Sequence, residues 1–162
     1  MFDEILYQIR TKEEKETLLR EIEILIESLY QDKGEAFASI LKTKVRDRYY
    51  SLLKSVFSDE AVDKKDYLEK LKNELEKLKE VEITLAFEPT YDFLDRLSFF
   101  IKNSIASNVI MSINYDPNIL GGALLIYKGN WRDFSFRKVF QEEFERDRGE
   151  ILKMLTKSDA KL

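Results

Sequence analysis

The stretch that decides the fold is Asp-Pro-Asn-Ile-Leu-Gly-Gly-Ala-Leu-Leu-Ile-Tyr-Lys-Gly-Asn-Trp-Arg-Asp-Phe-Ser, from Asp116 to Ser135. Its first pair, Asp116-Pro117, starts a turn, because proline fixes φ and aspartate accepts hydrogen bonds from nearby backbone. Gly121-Gly122 then opens an apolar run, where missing side chains permit a bulge or a close backbone approach. The stretch therefore predicts a turn, a strand, a hairpin turn and a second strand; the remaining marker residues are Gly129, Asp133 and Ser135.

Upstream of this stretch, residues 1–80 predict helices. Both prolines and four of the five glycines lie from Pro89 onward, so few helix breakers precede it. Thr11 and Glu14 fit a capping box at the start of the first long helix, and Gly34 marks its end. Its apolar residues recur at helical spacing and form a leucine stripe made of Leu18, Ile22, Leu25 and Leu29.

Two further helices are predicted before residue 80. The first carries a continuous apolar stripe made of Phe37, Leu41, Val45, Leu52 and Val56. Ser58-Asp59 breaks it, and Asp63 caps the next helix, whose apolar residues are Tyr67, Leu68, Leu71, Leu75 and Leu78. This last spacing also occurs in short coiled coils, but it covers under two heptads, so a bundle helix is favoured.

At Val81 the apolar period changes from 3.6 residues to 2. Val81, Ile83, Leu85 and Phe87 alternate with polar residues, which predicts a strand with one buried face. A helix after Pro89 is predicted to bury Leu94, Leu97, Phe100 or Ile101, and Ile105, and a strand then follows from Val109 to Tyr115. After the opening stretch, a charged helix is expected from Arg137 to about Thr156, with apolar Val139 or Phe140, Phe144, Ile151 and Leu155, and a break at Gly149.

The sum is an α+β protein with two parts. Residues 1–80 are expected to form a small helical bundle, and residues 81–162 an α+β domain with a four-stranded sheet that ends in a helix. The first two strands are joined through a helix, which is compatible with a parallel pair.

Composition excludes several function classes. The 162 residues contain no cysteine and no histidine, so disulfides, thiolate metal sites and Ser-His-Asp chemistry are unavailable. A site made only of carboxylates or lysines is still chemically possible. The net charge of −4 argues against nucleic acid as a partner. Neither a secretory leader nor a run of about 20 apolar residues is present, so we expect an intracellular or peripheral protein.

The run from Val81 to Phe140 resembles the C-terminal domain of the delta subunit of F-type ATP synthases, the oligomycin-sensitivity-conferring protein family. That pattern is an alternating strand, a helix, a second strand, an Asp-Pro-x-[Leu/Ile]-[Ile/Leu]-Gly-Gly element, a strand and Asp-Gly-Ser. This chain supplies Asp116 to Gly122 and then Asp133-Phe134-Ser135 at the family's spacing, with Phe134 in place of the glycine. Its helical part is shorter than the six-helix bundle of the family.

The resemblance implies a non-catalytic peripheral-stalk subunit without a cofactor or metal. Its partners would be the N-terminal segments of the alpha subunits and the C-terminal helices of the b subunits. It would lie on the cytoplasmic side of an energy-transducing membrane, attached through the complex. Such a stator needs stable apolar contacts that resist torque.

Three other interpretations stay open. The first is the E-type stalk subunit of archaeal or vacuolar ATPases, which should show one long helix paired with another chain. The second is a general adaptor. The third is a ligand-binding domain or small enzyme that uses Asp116, Asp133 and Lys128.

For individual residues, structural roles are favoured. Gly121-Gly122 lacks the flanking residues of a phosphate loop, and Asp116 and Asp133 are common turn residues. Trp131 and the Phe99-Phe100 pair are expected in the core first and as interface anchors second. The leucine stripe is likewise core first and a groove for a partner helix second.

Overall fold

A computed structural model describes residues 2–31 and 35–138, together with 141–142, 145–146 and 148. The helices are α1 (Asp3–Gln8), α2 (Lys12–Gln31), α3 (Glu35–Lys44), α4 (Asp47–Phe57), α5 (Lys64–Glu76) and α6 (Tyr91–Ser104). The strands are β1 (Lys79–Leu85), β2 (Val109–Tyr115), β3 (Ala123–Tyr127) and β4 (Asn130–Asp133). The predicted α+β class with a four-stranded sheet is confirmed.

Helix α2 begins with a variant of the predicted capping box. The backbone N–H of Glu14 donates to Thr11 Oγ1 at 3.3 Å, as expected. The Glu14 carboxylate, however, accepts from the backbone N–H of Arg10 at 2.8 Å, one residue before the expected partner. It also accepts from the Arg10 guanidinium, which adds a charge-assisted hydrogen bond to the cap.

The prediction of one helix across Phe37 to Val56 was wrong. The chain breaks at Val45-Arg46, and Arg46 takes an extended backbone as the N-cap of α4. Its side chain explains the break, because Nε donates to Glu21 at 2.8 Å and Nη2 donates to the Glu14 carbonyl at 3.0 Å. The break resets the helical phase, so Tyr49 and Leu53 are buried instead of Leu52 and Val56.

The predicted boundaries of α5 are confirmed. Helix α4 ends at Phe57, immediately before Ser58-Asp59. Asp63 Oδ1 then accepts from the backbone N–H of Asp66 at 3.0 Å, which satisfies one of the free donors at the helix start. The apolar face of α5 is buried in the helical core, which also contains Leu18, Ile22, Leu25, Phe37, Leu41, Tyr49 and Leu53.

The strands form a sheet of order β2-β1-β3-β4. Strand β1 pairs with β3 in antiparallel register, as does β3 with β4. Hydrogen bonds from Lys79 N–H to the Asn108 carbonyl and from Asp116 N–H to the Leu85 carbonyl join the starts and the ends of β1 and β2. These two strands are therefore parallel, as the connecting helix α6 requires.

Three predictions about apolar side chains in this region need correction. Strand β1 covers Lys79–Leu85 and ends before Phe87, which is exposed. Phe99 and Phe100 were expected in the core, but both are more than half exposed. On α6 Ile101 is buried as predicted, but Leu94 and Leu97 are only half-buried and Ile105, directly after the helix, is exposed, and the other buried residues are the polar Ser98 and Lys102.

Some predictions fall on residues that the structure does not describe. Gly34, Val139, Phe140, Phe144, Gly149, Ile151 and Leu155 lie outside the described residues. The described residues among 136–148 are helical from 136 onward, in agreement with the start of the charged helix expected from Arg137.

Contacts divide the chain into two compact units. The first, called the helical unit here, comprises residues 1–80 and 91–112, and the second, called the hairpin unit, comprises residues 81–90 and 113–162. The division at 80/81 coincides with the predicted boundary, but α6 and the first half of β2 group with the helices. That residues 81–162 fold as an independent domain stays a prediction.

Within the helical unit, a buried lysine holds the C-terminal end of α1. Lys102 Nζ on α6 donates to the carbonyls of Leu6, Tyr7 and Ile9, at 2.7 Å in the last case. Carbonyls at a helix end lack partners within the helix, so the ammonium group acts as a cap from a distant part of the chain. Burial lowers the pKa of Lys102 to about 8, and the nearby positive charge of Arg48 adds to the effect.

This lysine predicts a pH dependence of stability. Because its pKa is lowered in the folded state, the unfolded chain binds more protons between about pH 8 and pH 10, and the free energy of unfolding rises with pH in that window. Above pH 10 the raised pKa of Tyr49, about 12, acts in the opposite direction. Urea unfolding at several pH values measures the slope.

The matched variant is Lys102→Met, which keeps the long apolar stem. Its unfolding free energy is expected to show no rise between pH 8 and pH 10. An unchanged slope in this variant would contradict the assignment to Lys102.

Candidate interaction surface

The turn at Asp116 has the predicted geometry. Asp116 Oδ1 accepts from the backbone N–H and from the side-chain amide of Asn118, both at 2.9 Å. The Ile119 N–H donates to the Asp116 carbonyl at 3.2 Å. The carboxylate is therefore engaged in holding the turn, which is the role favoured from the sequence.

The two glycines allow a close backbone approach. Gly121 and Gly122 have φ of 69° and 79°. A Cβ on Gly122 would lie 2.2 Å from the Phe134 carbonyl oxygen, and one on Gly121 would lie 2.3 Å from the Phe136 ring. The segment after β4 can therefore run directly against the entrance to β3 only because both side chains are missing.

A two-residue turn joins β3 to β4. Lys128 and Gly129 both have positive φ, 49° and 74°, as a type I′ turn requires. The pair Tyr127↔Asn130 closes the turn, and Phe134 N–H donates to the Ala123 carbonyl at 2.9 Å. At the far end, Asp133 Oδ1 accepts from Ser135 N–H at 2.7 Å.

The register places a set of side chains on one face of the sheet, called the outer face here. Opposed pairs share a face, so Glu82, Ile126 and Trp131 form one row, and Thr84, Leu124 and Asp133 form the next. Val81, Ile83 and Leu85 lie on the opposite face of β1 and are buried. The outer face is open, because Ile126 is 40% exposed and Trp131 is 59% exposed.

A shallow groove of about 340 Å³ lies on this face. Leu120, Leu124 and Trp131 supply its apolar wall, while Asp116 and Asp133 supply carboxylates. Hydrogen bonds from the Ser135 side chain and backbone lower the pKa of Asp133, so this carboxyl stays ionised. A groove with an apolar wall and two carboxylates is suited to binding an apolar side chain flanked by positive charges.

The groove does not resemble a catalytic centre. Asp116 and Asp133 both line it, but the Oδ1 atom of each accepts hydrogen bonds within its own turn, which is a structural role. Lys128, the third residue of that hypothesis, is at the hairpin tip, with Nζ 5.3 Å from the Tyr127 ring centroid. Among the described residues, no group of acidic side chains is arranged to hold a metal ion.

The prediction that Trp131 lies in the core was wrong, because more than half of it faces solvent. The leucine stripe is in the core, its first expected place: Leu18, Ile22 and Leu25 are completely buried and Leu29 partly. A partner helix could reach them only if the bundle opened. Partner binding by the stripe and by Trp131 stays a prediction, and burial disfavours it for the stripe.

Sequence reasoning missed several exposed apolar residues near the groove. Leu120, Ile126, Phe134 and Phe136 are all 40% exposed or more. Ile126 is paired with Trp131 on the outer face and Leu120 lines the groove with it, so these three residues extend an exposed apolar surface of the kind that marks interaction sites. The sequence signal that could have revealed this exposed apolar surface is Phe134, a large apolar residue at the position where the delta-subunit pattern has glycine.

A comparison with known protein families identifies a family whose model spans both the helical and the hairpin parts of the chain. The family model described as "ATP synthase delta (OSCP) subunit" matches residues 8–143, which include helices α2 to α6 and the hairpin. This chain belongs to that family.

Curated relatives point to the same kind of complex. The E subunit of the A-type ATP synthase of Saccharolobus islandicus is 27% identical over 145 residues, and the protein of the same name from Saccharolobus solfataricus is 26% identical. The match covers 88% of this chain and 63% of each relative, so the chain spans less than two thirds of their length. In the part of the delta-family chain that the structure describes, no helix is long and apolar enough to cross a membrane.

The glycine contacts predict unequal effects of two similar substitutions. Gly122→Ala combines positive φ with a backbone clash at 2.2 Å, so we expect a loss of stability of about 3 kcal/mol or more. Gly129→Ala has the same sign of φ but no atom within 4 Å, so we expect a loss of about 1 kcal/mol. Urea unfolding of both variants measures the difference; equal losses would contradict the close-approach argument.

Proposed function

We propose that this delta-family chain is a non-catalytic peripheral-stalk subunit of a rotary ATP synthase, in the position that the E subunit has in A-type enzymes. The observation that carries the proposal is the similarity to the A-type E subunit over 88% of the chain. The open apolar face of the hairpin unit supports it, because a stalk subunit acts by holding other chains and needs no reaction centre.

A second candidate is the F-type stator, which links the catalytic head to the b subunits during proton-driven ATP synthesis. It is favoured by the match of the delta family model and by the bundle made of α1 to α5. A stalk protein of the E type was expected to show one long helix, whereas α2, with 20 residues, is the longest helix of the described part. In this case the partners would be the alpha N-terminal segments and the b C-terminal helices.

The proposed contact surface in either complex is the outer face of the hairpin unit. Trp131 and Leu120 are each more than half exposed and line the same groove, so they can be buried by a partner without refolding. Asp116 and Asp133 line the groove with these apolar groups, against one cation, Arg137, among the described residues of its lining. The complementary partner is an amphipathic helix with lysine or arginine beside its apolar stripe.

Neither role needs a cofactor. In both roles the chain lies on the cytoplasmic side of the membrane and is attached to it through the other subunits of the complex. An adaptor for an unrelated partner would use the same surface. The identity of the co-purifying chains separates these possibilities.

The test is a pull-down of the tagged chain from its native membranes, with the bound proteins identified by mass spectrometry. Recovery of the head subunits of an A-type enzyme is expected. Recovery of alpha, beta and b subunits would establish the F-type alternative, and recovery of unrelated proteins alone would contradict both stalk assignments.

A variant tests the surface itself. Trp131→Ala is expected to reduce recovery of the partner at least about tenfold, because a central exposed aromatic residue contributes most to such an interface. Tyr30→Ala is the control, since Tyr30 is also exposed, at 68%, but belongs to the helical unit. Thermal unfolding should leave both variants close to wild type; equal recovery with Trp131→Ala would exclude this face.

A further inference from the structure

The helical unit contains a second cavity that the stalk proposal does not use. It has a volume of about 210 Å³ and lies where α1, α4 and α6 meet. This is below the roughly 300 Å³ at which drug-sized sites begin, so it has room for one amino-acid side chain or terminal residue. The residues that matter for its chemistry are Gln8, Arg10, Arg48, Asp95, Phe99 and Lys102.

The charge of this cavity is unbalanced. Its wall has three cationic side chains, Arg10, Arg48 and Lys102, against two carboxylates, Asp95 in the wall and Glu14, which lies outside the lining but pairs with both arginines. Arg10 is satisfied, because it binds both Glu14 and Asp95. Lys102 donates to carbonyl oxygens, which do not neutralise its charge.

Arg48 is the cation that a ligand can reach. Its ion pairs with described residues go to Glu14 and Asp95, and both are 3.9 Å long, which is beyond hydrogen-bonding distance. Its side chain is 37% exposed. A guanidinium has five donors in a planar fork that matches a carboxylate, so Arg48 can bind one at its open side. Burial is the main cause of the lowered pKa of Lys102, and the positive charge of Arg48 adds to it.

Two further features of the cavity restrict the chemical class of ligand that it can bind. Gln8 also lines the cavity, and its Oε1 is buried without a hydrogen-bond partner among the described residues, so a side-chain rotation that turns this oxygen towards the cavity lets it accept from an N–H group. Phe99 and Tyr7 also line the cavity and are 62% and 47% exposed, so they offer an apolar wall. A terminal residue with an amide N–H, a free carboxylate and an apolar side chain satisfies all three.

We propose that this cavity binds the C-terminal residue of a partner polypeptide, with Arg48 holding its carboxylate, Gln8 accepting from its amide N–H, and Phe99 contacting its apolar side chain. The proposal does not depend on the identity of the complex, because it concerns the chemistry of the ligand alone. It adds a second contact point to a chain whose other candidate surface is on the hairpin unit.

The first experiment uses N-acetyl-L-phenylalanine as the probe and the neutral N-acetyl-L-phenylalaninamide as its control. Binding to the full chain is followed by NMR at Arg48 Nε and by the pKa of Lys102. The carboxylate probe is expected to shift the Arg48 signal and to raise the pKa of Lys102, because a negative charge nearby favours the ammonium form. The amide should do neither.

The second experiment compares two arginine substitutions. Arg48→Gln is expected to weaken probe binding at least about tenfold, as loss of a charge-assisted bidentate contact does. Arg96→Gln, on an exposed part of α6 where Arg96 pairs with Asp92, should leave binding unchanged. If Arg48→Gln fails to fold, Gln8→Leu replaces it, and weaker probe binding is again expected.

Three results would overturn the proposal. They are equal binding of the acid and the amide, an unchanged pKa of Lys102 at saturation, and tighter binding of inorganic phosphate than of the probe. A failed pull-down with the stalk subunits would leave these results untouched, so the two proposals are tested separately.

Discussion

The hairpin unit depends on one steric constraint, the approach of the Phe134 carbonyl to the α-carbon of Gly122. No side chain fits between the two backbones, since even a Cβ would lie 2.2 Å from the oxygen. The approach lets the chain continue beside β3 after β4 has ended, with Phe136 N–H donating to the Gly121 carbonyl. Leu120, directly before the glycine pair, and Trp131 on β4 line the same groove.

The structural features that could be predicted from the sequence are those set by residues close together in the chain. Turns and caps are local, so the roles of Asp63, Asp116, Gly121, Gly122 and Gly129 were predicted correctly. The break at Arg46 could not be predicted from the sequence, because its cause is a hydrogen bond to Glu21, which lies 25 residues earlier in the chain. Local apolar periodicity continues through this position, and only the tertiary contact interrupts it.

The candidate surface was harder to predict than the fold. Alternation identifies which side chains share a face, but it does not show whether another element covers that face. Trp131, Phe99 and Phe100 therefore looked like core residues, while Lys102, a charged residue on α6, is the buried one. The Arg48 cavity combines residues 7 to 102 and has no sequence signal at all.

The bond between Lys102 and the end of α1 has a consequence for biosynthesis. Its acceptor, the Ile9 carbonyl, precedes the lysine by 93 residues. The segment that contains α1 therefore leaves the ribosome before α6, and this bond forms only after α6 has been made. During that interval its apolar side chains Ile5 and Ile9, buried in the finished protein, have no permanent site, and they are the groups that a chaperone would hold.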